Sequence, residues 1–256
     1  MIYYFSGTGN SRYIANYVAK LTNDKVYNIL SNTCIPCKDD CIGLVFPVHA
    51  WSAPRVMEEF IDSQLRKLIL HEQPYIYMIA TCGDDIGKTQ EILQNKLSRI
   101  GLKLTSAFSL IMPDSYIGLP GFDVNNGEIE RQKIQDSLKL LPSISNNILN
   151  RKATTRTKPG PFPWTKSFVL RPLFYKFFTG TKLFSSNDLC IHCEKCAKIC
   201  PTKNITIVDG HPQWQNNCTN CLACYHVCPK HSIIFGKFSK NKGQYQLLLH
   251  SKEEGE

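Results

Sequence analysis

A chain of 256 residues with 43% hydrophobic content has room for two compact units with buried cores, which excludes a disordered polymer. Thirty basic against 21 acidic residues give a formal net charge of +9, suited to an acidic protein, an anionic membrane surface or a nucleic acid. The 12 cysteines imply either a secreted disulfide framework or metal ligation inside a cell. Met1 leads straight into Ile2-Tyr3-Tyr4-Phe5, without the basic start and apolar run of a signal peptide. No stretch is apolar enough to span a bilayer; the run around Ile69 ends at His71, Glu72 and Gln73. A reducing cytoplasm is therefore expected, where clustered thiols bind metal or do redox work.

Residues 2–5 read as a strand and are followed by Ser6, Gly7, Thr8, Gly9, Asn10 and Ser11. A helical pattern then places Tyr13, Ile14, Tyr17 and Val18 on one face. A strand, a hydroxyl-rich glycine loop and a helix N-terminus make a phosphate cradle, because backbone N–H groups and the helix dipole favour an anion there. A dinucleotide fingerprint is incomplete: position 12 is Arg rather than a third Gly, and no acidic residue closes the second strand near 25–29. A P-loop is excluded, since no Gly-Lys-Ser/Thr follows. The loop instead resembles the phosphate loop of flavodoxins, which implies FMN as the ligand.

Buried-strand runs at 42–46, 75–80 and 107–111 alternate with helical patterns at 54–68 and 87–100. That alternation predicts an α/β fold with a doubly wound parallel sheet, flavodoxin-like by resemblance. Ligands of such sheets lie at the carboxyl ends of the strands. The loops there are 47–54, with Pro47, Val48, His49, Ala50 and Trp51, and 81–85, with Thr81, Cys82, Gly83, Asp84 and Asp85. They match the two flavin-contacting loops of flavodoxin-like proteins in position. Trp51 is the candidate for stacking on the flavin ring, against plain packing between loop and helix; Tyr116 is a second candidate. His49 and Cys82 are read as loop or packing residues rather than as catalysts.

Cys34, Cys37 and Cys41 form C-x2-C-x3-C between strands; with no fourth ligand nearby they read as free or oxidisable loop thiols. Residues 151–184 carry eight basic and no acidic side chains, interleaved with Phe168, Phe174, Tyr175, Phe177, Phe178 and Phe184. They are read as a linker that packs two domains together, with lysines reaching to water. The alternative is a docking patch for an acidic redox partner or, less favoured, an anionic membrane surface. No nucleic-acid motif is present, and none is expected as partner.

Cys190, Cys193, Cys196 and Cys200 precede Pro201; Cys218, Cys221, Cys224 and Cys228 precede Pro229. Both copies read C-x2-C-x2-C-x3-C-P, offset by 28 (218 − 190). Two structural zinc sites fit this poorly, because zinc favours separated C-x2-C pairs. The run resembles that of bacterial two-cluster ferredoxins, from about 186 to 237. The resemblance implies two [4Fe-4S] clusters, one held by Cys190, Cys193, Cys196 and Cys228, the other by Cys218, Cys221, Cys224 and Cys200. One departure is Glu194, where many such ferredoxins have glycine. Between the copies, Ile205-Thr206-Ile207-Val208, Asp209-Gly210 and His211-Pro212-Gln213-Trp214 read as a hairpin, with 233–235 as the matching strand.

Nearly the whole chain is similar to the EFR1 family, a flavodoxin-like domain fused to a two-cluster ferredoxin; PVHAWSAP at 47–54 and MPDSY at 112–116 add to that resemblance. The expected organisation is an FMN domain over 1–150, a basic aromatic linker over 151–184, a small α+β ferredoxin domain over 185–240 and a fraying polar tail over 241–256. The resemblance implies an electron carrier between FMN and two clusters. An FMN-dependent reductase of a small molecule and a redox-sensing interaction protein are the alternatives. No catalytic base or nucleophile constellation stands out beside the flavin loops.

Overall fold

The computed structural model describes residues 1–31, 40–245 and 247. Cys34, Cys37 and most of the tail lie outside them.

The first lobe is built on a parallel six-stranded sheet in the order β2-β1-β3-β4-β5-β6. Its strands are β1 (Ile2–Tyr4), β2 (Val26–Asn28), β3 (Cys41–Pro47), β4 (Tyr75–Cys82), β5 (Leu104–Ile111) and β6 (Thr155–Arg156). The 2-1-3-4-5 order is the flavodoxin-like one, with its switch point between β1 and β3. All eight residues of β4 are buried, as expected for a central parallel strand covered on both faces. Alternation sorts them by face. Ile76, Met78, Ala80 and Cys82 pack with α2 (Arg55–Phe60) and α4 (Thr89–Arg99). Tyr75, Tyr77 and Ile79 pack with α1 (Asn10–Thr22) and α5 (Gly127–Leu149). Each large apolar side chain so buried contributes roughly 1.5–3 kcal/mol. The 54–68 pattern is helical throughout: α2 continues through a π-helical turn, Ile61–Leu65, into α3 (Arg66–Leu68).

The sheet outruns the expected boundary at 150, because β6 joins β5 after α5. The connection to the second lobe is helical: α6 (Pro163–Thr165), a π-helical turn, Lys166–Leu170, and α7 (Arg171–Phe177).

The second lobe repeats itself. It contains β7 (Phe184–Ser186), α8 (Lys195–Ile199), β8 (Ile205–Val208), β9 (His211–Trp214), α9 (Ala223–Val227) and β10 (Ile233–Phe235). β8 and β9 form the expected hairpin. β10 pairs antiparallel with β7, a strand straddling the end of the expected linker. The backbone carries the 28-residue repeat: His192, Glu194 and Lys203 have positive φ, as do Asn220, Leu222 and His231 (220 − 192, 222 − 194, 231 − 203). The lobe's core is small and mixes Phe184, Leu222, Tyr225, Ile233 and Phe235 with Cys224 and Cys228.

Residues 241–247 do not all fray. Tyr245 and Leu247 are buried against the first lobe. The Tyr245 hydroxyl donates to Asn10 Oδ1 at 2.5 Å, and the Leu247 N–H to the Thr8 carbonyl at 3.1 Å.

Candidate functional site

The loop Ser6 to Ser11 links β1 to α1 at the β1/β3 switch point. Gly9, at φ 109°, starts α1 in a left-handed conformation that a Cβ would strain. No side chain caps α1, and its first turn holds no acidic residue, so its leading N–H groups remain available to an anion. The surrounding polar groups are held in place. Ser11 Oγ shares a 2.8 Å hydrogen bond with Thr81 Oγ1, Asn10 Nδ2 donates to the Pro113 carbonyl, and the Gly9 N–H donates to Ser6 Oγ. The uncapped helix and buried hydroxyls of Thr8 and Ser11 fit a phosphate ester.

The other loops end on the same edge of the sheet. Pro47 closes β3 and Cys82 closes β4. His49 and Ser52 exchange backbone hydrogen bonds around Ala50 and Trp51, both at positive φ. This is a tight turn of the kind glycine or asparagine favours, held here by non-glycine residues. The Trp51 carbonyl accepts from Ser167 Oγ at 2.9 Å, and Lys166 Nζ lies 5.7 Å from the Trp51 ring centroid. Burial lowers His49 to about 4, so it is neutral near pH 7. Burial pushes the Cys82 thiol up to about 12, leaving it inert. Asp84 is exposed and pairs with Lys158 at 3.1 Å. Gly83 abuts the Asp114 carboxylate, and Lys133 Nζ donates to the Gly83 carbonyl and to Asp114. Tyr116 takes a different position from Trp51. Its ring packs on Phe122 and Phe174 at the edge of the second lobe's core.

Residues 157–171 run over these loops. Lys166 pairs with buried Asp85, on which Gly160 also packs. Ser167 Oγ accepts from the Lys88 N–H, and Arg171 pairs with Glu58 at 2.6 Å. The sequence places Asp85 in the second flavin-contacting loop but marks neither Ser167 nor Glu58; each of the three is an ordinary polar residue whose partner is far along the chain.

The eight repeat cysteines are all free and fall into two groups. Cys190, Cys193, Cys196 and Cys228 line one pocket. Cys200 acts electrostatically on Cys218, Cys221 and Cys224, which marks the second group. Burial pushes Cys196 and Cys218 up to about 11 and raises Cys221 and Cys224 as well. Burial also acts to raise Cys228, but hydrogen bonds from Ser232 and nearby backbone N–H groups outweigh it and leave the thiol lowered. Equivalent N–H···S contacts recur across the repeat: Asn204 N to Cys200 Sγ at 3.2 Å and Ser232 N to Cys228 Sγ at 3.3 Å. Trp214 Nε1 and Thr219 Oγ1 are buried and make no well-formed hydrogen bond among the described residues. They are directed at the Cys224 and Cys221 thiols and act to lower them against the effect of burial. Crowded thiols with buried donors directed at them fit iron–sulfur clusters, whose charge stabilises thiolates and whose sulfides accept hydrogen bonds.

The two parts meet at Gly7. A Cβ placed there would lie 2.7 Å from Cys221 Cβ and 3.4 Å from Cys221 Sγ. His226 Nε2 donates to the Ser115 carbonyl at 2.7 Å while its Nδ1 accepts from the Tyr245 N–H, so one neutral imidazole joins both lobes and the tail. The third thiol of the 34/37/41 set, Cys41, sits buried on β3 rather than in a loop, with its thiol pushed up to about 11 by burial. A cavity of about 500 Å³ lies between β5 and α5 and is lined by Ser109, Glu128, Lys133 and Asp136, away from the switch point.

A family model described as a 4Fe-4S dicluster domain matches residues 182–229. No curated protein matches the chain. Similar solved structures include two-electron reduced flavodoxin from Megasphaera elsdenii, 20% identical over 43% of this chain and 84% of that one, with TM-score 0.34. The Trp repressor binding protein from Bacillus subtilis is 15% identical over 58% and 97%, with TM-score 0.38. A flavodoxin, WrbA-like protein from Agrobacterium tumefaciens is 14% identical over 57% and 96%, with TM-score 0.35. The C-terminal lobe is thus a 4Fe-4S-binding, ferredoxin-type domain behind a flavodoxin-like sheet, a pairing that points to redox electron transfer.

Proposed function

We propose that the protein is a cytoplasmic electron-transfer flavoprotein that passes electrons between FMN and two [4Fe-4S] clusters, as its EFR1 resemblance implies. FMN takes up electrons singly or in pairs and each cluster one, so the set interconverts two-electron and one-electron chemistry.

The single observation that carries this reading is the contact between Gly7 and Cys221. The loop read as the phosphate cradle touches a cysteine of the second run. Cys218, Cys221, Cys224 and Cys200 then hold the proximal cluster, and Cys190, Cys193, Cys196 and Cys228 the distal one. Ser6, Thr8 and the α1 N-terminus bind the phosphate. Trp51 and the Thr81 to Asp84 loop flank the ring, while Lys166 and Ser167 hold the covering segment down and limit water there. Such a cover suits a carrier better than a reductase, which needs an open flavin face. Exposed Leu189, Ile191, Lys195 and Lys230 surround the distal site and suit an acidic redox partner.

Anaerobic reductive titration tests the proposal, with absorbance reporting flavin and electron paramagnetic resonance reporting clusters. The expected result is one flavin and about eight irons per chain, all reducible. Clusters without retained FMN would contradict it.

A further inference from the structure

The segment joining the lobes is amphipathic the wrong way round for a linker. Three of its polar side chains face the protein: Lys166 pairs with Asp85, Ser167 holds the Trp51 carbonyl, and Arg171 pairs with Glu58. Its large apolar side chains face outward. Phe162 is 78% exposed, Trp164 61% and Phe177 58%, and Phe168, Val169 and Leu173 are exposed beside them. Water does not favour this arrangement, since each large apolar side chain left exposed forgoes its burial. The expected lysines do reach water, since Lys152, Lys158, Lys176 and Lys182 are exposed, but of the aromatics expected to pack inward Phe168, Phe177 and Phe178 are exposed as well, while Phe174 and Tyr175 are half-buried and Phe184 is buried.

We propose that residues 162–178 lie in the interface of an anionic lipid bilayer, seating the protein on the membrane without crossing it. Three features select lipid as the occupant. First, the outward face is mostly apolar, its polar groups being the Thr165 hydroxyl, the Trp164 indole and the Lys176 ammonium, whereas protein interfaces carry about one hydrogen bond per 100–200 Å². Second, the charge is one-signed: 151–184 contains eight cations and no acid, and Lys176 and Lys182 stay exposed beside the apolar face. Lys176 lies over the Phe177 ring at 5.3 Å, its stem along the apolar surface and its ammonium free for a headgroup. Third, Trp164 and the phenylalanines are the side chains that settle at headgroup depth. None of the helices among the described residues is long and apolar enough to cross a membrane, so the contact is in-plane.

Flotation of the full chain, purified anaerobically with its cofactors, tests this with phosphatidylcholine vesicles and with vesicles also containing phosphatidylglycerol. The chain should float with the anionic vesicles and be released by high salt. The variant Trp164→Ser/Phe168→Ser/Leu173→Ser/Phe177→Ser should lower the bound fraction at least about tenfold. Its iron and flavin contents should be unchanged, since these side chains face outward. Lys176→Glu/Lys182→Glu should weaken only the anionic preference. Failure to float with either vesicle, or flotation of the fourfold variant like the parent, overturns the proposal. So does a chain that ignores vesicles but dimerises through the same four residues.

Discussion

Gly7 and Cys221 are in van der Waals contact across 214 positions of sequence (221 − 7), with room at Gly7 for hydrogen only. A loop shaped for an anion and a thiol in a cluster-ligand run therefore share one boundary. Gly7 does not need its freedom of φ, since it is absent from the positive-φ residues. Its lack of a Cβ matters for approach. Gly7→Ala should force the two surfaces apart, slowing flavin-to-cluster exchange by about tenfold or more while leaving iron content intact, as a small misplacement does elsewhere. Stopped-flow absorbance checks this.

The pairing of cysteines across the repeat makes an epistasis prediction. Cys200 lies in the first run but groups with the second. Cys200→Ser should lose about four irons, and adding Cys218→Ser should lose no more, because both serve one cluster. Cys200→Ser with Cys190→Ser should lose about eight. Iron analysis of the purified variants decides; equal losses in both double variants would contradict the grouping.

Asp85 and Lys166 pin the connecting segment over the Trp51 loop, with the Asp85 side chain 3% exposed. Asp85→Asn leaves a half-buried ammonium unpaired and should cost on the order of 3 kcal/mol. Asp85→Asn/Lys166→Met should recover most of it, since the charge is then gone too. Denaturant midpoints followed by tryptophan fluorescence measure both.

His49 sets a pH dependence. Burial lowers it from 6.5 to about 4. Between those values the unfolded chain takes up a proton that the folded chain does not. Its contribution to stability is therefore present above pH 6.5 and lost as pH falls towards 4. His49→Gln should flatten the thermal midpoint between pH 7 and pH 5 relative to the parent.

Much of this was legible in the residues. The cysteine repeat and the glycine loop stand out because metal ligation and phosphate binding demand fixed spacings. The β3, β4 and β5 runs stand out because central parallel strands are apolar on both faces. Glu194 is informative in a different way. The position where glycine is common has φ 57°, and its repeat partner Leu222 has φ 60°, so the backbone keeps its left-handed turn without glycine. α5 passed unread although Leu141, Ile144 and Ile148 follow helical spacing after the Asn126 cap, because Pro142 in its interior reads as a break. The return of Tyr245 onto Asn10, the pairing of β10 with β7 and the inverted connecting segment depend on contacts between distant residues. No local pattern announces them.

The most direct test of the central claim is flash photoreduction of the bound flavin, with cluster bleaching followed in the parent, in Cys190→Ser and in Cys221→Ser. Transfer through Cys221 predicts that flavin reoxidation stays fast when the distal group is damaged by Cys190→Ser and is lost with Cys221→Ser. Fast reoxidation in Cys221→Ser together with its loss in Cys190→Ser would place the flavin beside the other cluster and contradict the account.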